Sequence, residues 1–425
     1  MRWWIAGLLC ASTIINYINR QTLSLLAPFL KVQYHWTNTD YAAIVIAFRL
    51  AYALGQSPSG RLMDRIGARK GLSLTVAWYS IVSMFTSLAR GFWSFAGLRF
   101  LLGTGESGNW PGAVKVVAEW FPRQERALAT AFFDSGSSLG AAIAPFIVLG
   151  IYFRWGWRPA FIIPGALGFL WILCWRWLYH PPQIHPRLSV EERELIAASP
   201  DDESFDVHRT EKTPWIGLLK LRQTWAVAVA KSFTDPVWFF VADWFPIYLV
   251  SKGVNLRGSL LEIWIPFFAT DLGNFFSGWL SGFLIKHGWP LAAARKALVI
   301  GGGIGVLLLI PTIFTDNFYL ITALFALSTF AYGCFTTIAN VLPADLFESS
   351  SVASVSGIGS TGAGLCTVVA FFLVGSVSDA RQTSAVHSFD PILVTAGLLP
   401  FIGMILVLVL LRNPKQSGQE PAQQL

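Results

Sequence analysis

About twelve apolar runs, each long enough for the ~20 helical residues that cross a bilayer, follow one another along this chain and limit its possible folds severely. They cover residues 3–30, 41–62, 71–89, 92–114, 127–150, 158–180, 224–250, 259–284, 297–314, 317–341, 352–376 and 391–411. Inside lipid every backbone N–H and C=O needs a partner within the protein, so only helices or closed barrels span. None of the runs alternates with the period of two that a barrel strand requires. The expected fold class is an all-α membrane protein with twelve transmembrane helices. Charged residues form 13% of the chain, about half their share in a soluble domain, which agrees.

The first run is too long for a cleavable signal peptide and continues into polar residues, so it is expected to remain as a span. Of the 31 Lys and Arg, 18 fall on one side of the expected topology, 7 on the other, and six within or at the ends of spans (Arg20, Arg49, Arg99, Lys115, Arg176 and Lys231). That asymmetry is the positive-inside bias, which puts both termini in the cytoplasm. The basic balance is therefore explained by the lipid bilayer as partner, and no nucleic acid is expected. The four cysteines, Cys10, Cys174, Cys334 and Cys366, all lie in spans and read as thiols rather than disulfides.

Residues 181–223 break the apolar rhythm with a Pro-bounded, charge-dense stretch in which LSVEERELI fits a short amphipathic helix of structural role. The stretch separates six spans from six. The expected domains are an N-terminal six-helix bundle at 1–180, a cytoplasmic linker at 181–223, and a C-terminal six-helix bundle at 224–425 that ends in a short polar tail. The halves echo each other: Ala118-Glu119-Trp120-Phe121 precedes Ala344-Asp345-Leu346-Phe347 by a constant offset that also carries Arg69-Lys70 to Arg295-Lys296 and Gly136 to Gly362. A duplicated twelve-span chain points to a transporter with its site between two pseudo-symmetric bundles, near the midplane.

Between spans two and three the chain reads GRLMDRIGARK, residues 60–70. Gly60 permits close helix approach, Gly67 permits a turn, Asp64 can bond a helix N-terminus or an arginine, and Arg65, Arg69 and Lys70 hold the loop on the cytoplasmic side. The pattern resembles the signature loop of the major facilitator superfamily, and the second half carries a degraded copy (Gly282, Leu284, Lys286, Gly288, Arg295, Lys296). Three stretches, INYINRQTLSLLAP (15–28), GLRFLLGTGESGNWPGAVKVVAEWFPRQERALAT (97–130) and TPWIGLLKLRQTWAV (213–227), resemble its anion:cation symporter branch, and within it hexuronate transporters most. The resemblance implies the two-bundle major facilitator fold, a gating role for Gly60, Asp64, Arg65, Gly67 and Arg69, and a monomer in a bacterial inner (plasma) membrane. It further implies proton-coupled import of a small organic anion by alternating access.

An ionisable residue inside a membrane costs about 2.5–3.5 kcal/mol on insertion scales and marks a functional candidate. Arg20, beside Tyr17 and Asn19, is the leading substrate group, since a guanidinium stays charged and grips a carboxylate bidentately. Arg99 and Glu106 stand seven residues apart, two turns along one helix face; an interhelical ion pair that locks the fold is the competing reading for them. Burial favours the neutral form of Glu106 and a neighbouring arginine its charged form, so it is the expected proton carrier. The branch places a glutamate in that role at this position of its motif, and an aspartate before the arginine where Asn19 stands here. Tyr52 matches a branch position that contacts substrate, and Arg49 either reads a second polar group or pairs with an acidic residue elsewhere.

Lys115 and Lys231 are expected to snorkel from span ends, and Asp134 to bond locally beside Gly136. In the second half Trp238, Asn274 and Asn340 are substrate candidates, with Asp243 and Asp271 as further polar groups. Gly301-Gly302-Gly303-Ile304-Gly305 lacks a phosphate-loop lysine and reads as helix packing. There is no Walker motif, no metal-spaced His/Cys set and no catalytic constellation in the sequence, so neither a cofactor, a metal nor an enzyme is expected. The expected activity is uptake of a hexuronate such as glucuronate or galacturonate. The alternatives are an aldonate or other carboxylate, and a non-transporting membrane sensor.

Overall fold

A computed structural model describes residues 1–197, 215–251, 260–380 and 390–411. The first half contains α1 (Arg2–Tyr34), α2 (Asn38–Ile66), α3 (Ala68–Thr86), α4 (Phe92–Glu106), α5 (Asn109–Trp120), α6 (Arg123–Asp134), α7 (Gly136–Trp155) and α8 (Trp157–Leu178). Short helices α9 (Val190–Ala197) and α10 (Trp215–Leu218) follow in the linker. The second half contains α11 (Arg222–Ser251), α12 (Leu260–Lys286), α13 (Leu291–Gly305), α14 (Phe318–Leu346), α15 (Val352–Ala380) and α16 (Asp390–Leu410). Because α4 continues into α5, α6 into α7, and α13 into the 3-10 segment Val306–Phe314, these are twelve spanning rods among the described residues.

Among the described residues, six of those rods stand out as long and strongly apolar enough to cross a membrane by length and composition alone. Of the other six, α1, α2, α4–α5, α11 and α12 carry charges that face the protein, among them Arg20, Arg49, Glu106, Lys231 and Asp271, and charge facing protein rather than lipid lowers apolarity without forbidding a span. The same effect explains why the fourth rod outruns the apolar stretch 92–114: Lys115, Val116, Val117 and Trp120 at the end of α5 are buried in protein. Exposed Phe146, Phe153, Leu173, Phe268 and Phe314 cover the outer surface, as a lipid-facing surface requires.

Local chemistry sets the helix ends. Thr37 accepts from the Asp40 backbone N–H at 3.1 Å while Asp40 accepts from the Thr37 backbone N–H at 2.9 Å, a reciprocal cap that starts α2. Asn317 starts α14 by accepting from Tyr319 and Leu320 backbone N–H groups at 3.0 and 3.2 Å. Gly67, at φ +79°, turns the chain from α2 into α3 in a region that disfavours a side chain.

The two halves meet along α2 with α15 and α6 with α12. Gly60 lies against the Ala353 carbonyl and Gly357 against the Gln56 carbonyl, so the α2–α15 seam closes at backbone distance. At the end of the molecule carrying residues 60–70, the basic end, one continuous apolar core joins Met63, Leu72 and Trp120 to Phe335, Leu342 and Leu346. Towards the opposite end each half keeps its own core, around Phe95 and Trp157 in the first and around Phe245 and Phe325 in the second. The halves are thus fused at the basic end and separately packed beyond the midplane.

In the linker, α9 falls where the amphipathic helix was expected. Arg2 clips it to the first half, donating from Nε to Glu125 at 2.7 Å and from Nη1 to Glu192 at 3.0 Å. Burial works against the Glu192 carboxylate, but the Arg2 backbone N–H and nearby positive charge overcome this and hold its pKa below the ordinary value. A depressed carboxylate pKa stabilises the docked helix above the undocked pKa and loses that contribution as pH falls through the lower, docked value. Amide protection of α9 in hydrogen exchange should therefore decline below about pH 4, and Glu192→Gln should flatten that dependence.

Candidate functional site

A cavity of about 230 Å3 lies between the halves, walled by α1, α2, α5, α6, α7, α11, α12, α14 and α15. Arg20 enters it from α1. Its Nε donates to Glu106 Oε2 at 3.0 Å and its Nη2 to Asn16 Oδ1 at 3.3 Å. The guanidinium carbon is 4.7 Å from the ring centres of both Tyr17 and Tyr52 and 5.2 Å from that of Phe48. Three aromatic rings therefore fix the cation in place and shield it from lipid.

Glu106 ends α4 just before the Ser107-Gly108 turn and is wholly buried. One carboxylate oxygen takes Arg20; the other, Oε1, has no hydrogen-bond partner. The glycines flanking it serve packing: a side chain on Gly103 would strike the Phe48 carbonyl, and one on Gly105 the Trp78 ring.

Of the residues expected at the site, Tyr17, Arg20, Arg49, Tyr52, Trp238, Asn274 and Asn340 all line the cavity. Two expected there do not. Arg99 is buried against α1 and donates to the Arg20 carbonyl at 3.2 and 3.3 Å. Asn19 faces the interior of the first half, donating to the Ile15 carbonyl at 3.0 Å and accepting from Ser83 at 2.7 Å. Arg49 lies 5.5 Å from the Phe239 ring centre, and Trp238 stacks on Tyr332 at 5.9 Å.

The cavity also holds groups that the spacing did not reveal. Lys231 does not snorkel: α11 begins at Arg222, more than two turns earlier, and the ammonium is buried, donating to Asn340 Oδ1 at 2.6 Å. Asp134 lines the cavity instead of bonding locally, together with Asp235, Gln56 and Ser360, and Asp271, expected as a further polar group, lines it too. Asn274 Oδ1 accepts from Thr337 at 3.0 Å. The one available signal was the four-residue spacing of Lys231 and Asp235, which puts them on one helix face. The Asp243 side chain lies outside the described residues.

At the basic end, the loop 60–70 meets the second half. Asp64 accepts from the backbone N–H groups of Ala353 and Ser354, at 3.3 and 2.7 Å, which are the free donors at the N-terminus of α15. Lys115, expected to snorkel, is buried here instead, 3.1 Å from Asp64 and 3.6 Å from Glu119, and it also donates to the Ser349 carbonyl. A pseudo-equivalent cluster joins Arg126 and Arg295 to Asp345 at 3.3 and 2.8 Å. Arg65 is exposed, while Arg69 donates to the Arg176 carbonyl at 2.5 Å.

The model of the Major Facilitator Superfamily matches residues 9–294. The chain is 28% identical over 435 residues to the hexuronate transporter of Escherichia coli (strain K12), covering 100% of this chain and 98% of that one. It is 28% identical over 431 residues to the probable galactarate/D-glucarate transporter GarP of the same organism, covering 98% and 96%. Among solved structures, the proton:xylose symporter XylE bound to 6-bromo-6-deoxy-D-glucose superposes with a TM-score of 0.73 at 14% identity, covering 97% of this chain and 96% of that one. With twelve rods in two halves, a central cavity and a matching family model, the chain belongs to the major facilitator superfamily.

Proposed function

We propose that this protein imports a sugar acid, a hexuronate such as glucuronate or galacturonate, together with protons. The observation that carries this reading is the pair formed by Arg20 at the cavity wall and Glu106 buried behind it. While Glu106 is charged it neutralises Arg20. A proton on Glu106 weakens that bond, and the guanidinium fork becomes free for a substrate carboxylate. Substrate and proton thereby favour each other's binding, which is the thermodynamic requirement for symport. Arg99 supports the pair: it holds the Arg20 backbone and stands within electrostatic reach of Glu106.

The same reading assigns the basic end to the cytoplasm of a bacterial inner membrane, with 1–180 and 224–425 as the two rocking units and 181–223 as their linker. The shared core at that end supports an outward-facing state. Inward opening would then require Asp64 to leave the α15 N-terminus and Asp345 to leave Arg126. Asp64→Asn removes the charge that holds both Lys115 and that helix end, worth about 1–2 kcal/mol of conformational bias. Inward opening becomes easier, but the return to the outward-facing state loses the bonds that favour it, so transport should slow by roughly tenfold while equilibrium affinity for the sugar acid stays nearly unchanged. A large loss of affinity with normal turnover would contradict a gating role.

The reading is tested by uptake into proteoliposomes of radiolabelled galacturonate, glucuronate and galactonate under an inward proton gradient. Accumulation of at least one of them, saturable and abolished by collapse of the gradient, is the expected result. Failure of all three to accumulate would refute it.

A further inference from the structure

Beyond Arg20 and Arg49, the charged lining of the cavity is three aspartates and one lysine. Asp134, Asp235 and Asp271 all line it, and Asp134 lies within electrostatic reach of the other two and of Lys231. Lys231 is the one cation of this cluster, and its ammonium is already bonded to Asn340. Between α2 and α15 two further polar groups point into the space from nearly complete burial: Gln56 is 4% exposed with Oε1 unpartnered, and Ser360 is 6% exposed with Oγ unpartnered. A buried acceptor with no donor is costly until something supplies a hydrogen. Carboxylates and the Gln56 amide oxygen can accept from a sugar hydroxyl, and the Ser360 hydroxyl can accept or donate.

We infer that this cavity selects sugar acids with a single carboxylate, reading their hydroxyls through Gln56 Oε1, Asp134 and Asp271, and rejects sugar diacids. The inference rests on the reading of Arg20 as the carboxylate anchor. The substrate carboxylate faces Arg20 among its aromatic rings, and the polyol chain runs towards Gln56, Ser360 and the aspartates. A diacid in the same pose puts its second carboxylate against three aspartates, where Lys231, the cation beside them, is already bonded to Asn340, while Arg49, the cavity's other cation, lies against the Phe239 ring. That arrangement discriminates by repulsion as well as by attraction. Removing a hydroxyl that a buried acceptor needs also penalises the wrong ligand.

Galactonate and galactarate differ only in whether the terminal carbon is an alcohol or a carboxylate, so they isolate this property. Binding of each to the purified full-length protein should be measured by calorimetry, with Asp134→Asn, Asp271→Asn, their combination, Gln56→Leu and Arg20→Ala in parallel, each checked for a monodisperse, cooperatively melting sample. The expected result is that galactarate binds wild type at least about tenfold more weakly than galactonate. The Asp134→Asn/Asp271→Asn combination, or either single variant if the combination does not fold, should narrow that gap by several-fold. Gln56→Leu should weaken galactonate more than it weakens hexanoate, which has a carboxylate and no hydroxyls. Equal affinity of wild type for the two sugar acids, with both lost in Arg20→Ala, would overturn the inference and leave the anchor standing. Binding of both unaffected by Arg20→Ala would overturn the anchor itself.

Discussion

Glu106→Gln is expected to abolish accumulation driven by a pH gradient while leaving exchange of internal for external substrate intact. The glutamine has the shape of the protonated acid and cannot ionise, so it holds the protein in its proton-loaded form. In that form Arg20 loses its 3.0 Å carboxylate partner and is open to substrate. Affinity for the sugar acid should therefore rise or hold steady, and it should lose its dependence on pH. Net uptake requires the empty carrier to return with Glu106 discharged, and the variant has no charge to restore the pair. Loss of net uptake exceeding tenfold, with counterflow within a few-fold of wild type, is the expected pattern. Counterflow lost in parallel would mean that Glu106 is needed for folding or substrate contact instead.

Arg20→Lys should cost substrate affinity heavily although it keeps the charge. A lysine offers no planar fork, and its ammonium is more strongly hydrated than a guanidinium. Charge-assisted hydrogen bonds contribute about 1.5–3 kcal/mol each, so losing the bidentate geometry should raise Kd on the order of a hundredfold. Arg20→Ala poses a second problem: it leaves the fully buried Glu106 carboxylate without its hydrogen-bonded partner, with Arg99 alone in electrostatic reach, and breaking a buried pair costs about 3–5 kcal/mol of stability. The combination Arg20→Ala/Glu106→Gln removes that charge as well. It should melt nearer to wild type than Arg20→Ala alone while still failing to bind. Calorimetry and thermal unfolding on the same four proteins separate the two effects.

What was legible in the sequence followed from lipid. Apolar length located twelve spans, and the cost of charge within them singled out Arg20 and Glu106, which the structure brings into contact. The rest depended on burial by protein. Apolarity cannot distinguish a lysine near headgroups from one covered by another helix, which is why Lys115 and Lys231 were expected to snorkel. Helix rotation was equally hidden. Arg99 and Glu106 do share a face towards α1, but two turns separate them by about 10 Å along the axis, so one meets a carbonyl and the other the guanidinium. Asn19 and Arg20 are adjacent, and a helix turns neighbours apart: Arg20 enters the cavity and Asn19 faces Ser83. Asp134 was read as local because its partners, Asp271 and Lys231, lie on helices more than ninety residues away in the chain. Packing of α6 on α12 brings Asp134 to Asp271, and Lys231 reaches the same cavity from α11.

The central claim is that one proton, carried on Glu106, accompanies each monoanion. Moving one negative charge into a negative interior costs about 2.3 kcal/mol per 100 mV. A single proton cancels that charge, so import should follow the pH gradient and be indifferent to voltage. Asn19, standing where the resembling branch has an aspartate, supplies no second titrating carboxyl. The direct measurement is uptake of galactonate or galacturonate into proteoliposomes with the membrane potential set by potassium and valinomycin and the internal pH recorded. The account predicts accumulation under an inward proton gradient at zero potential, one proton entering per anion, and no stimulation by an inside-negative potential at equal pH. Clear stimulation by voltage alone would contradict it and move the coupling charge to Asp134, Asp235 or Asp271.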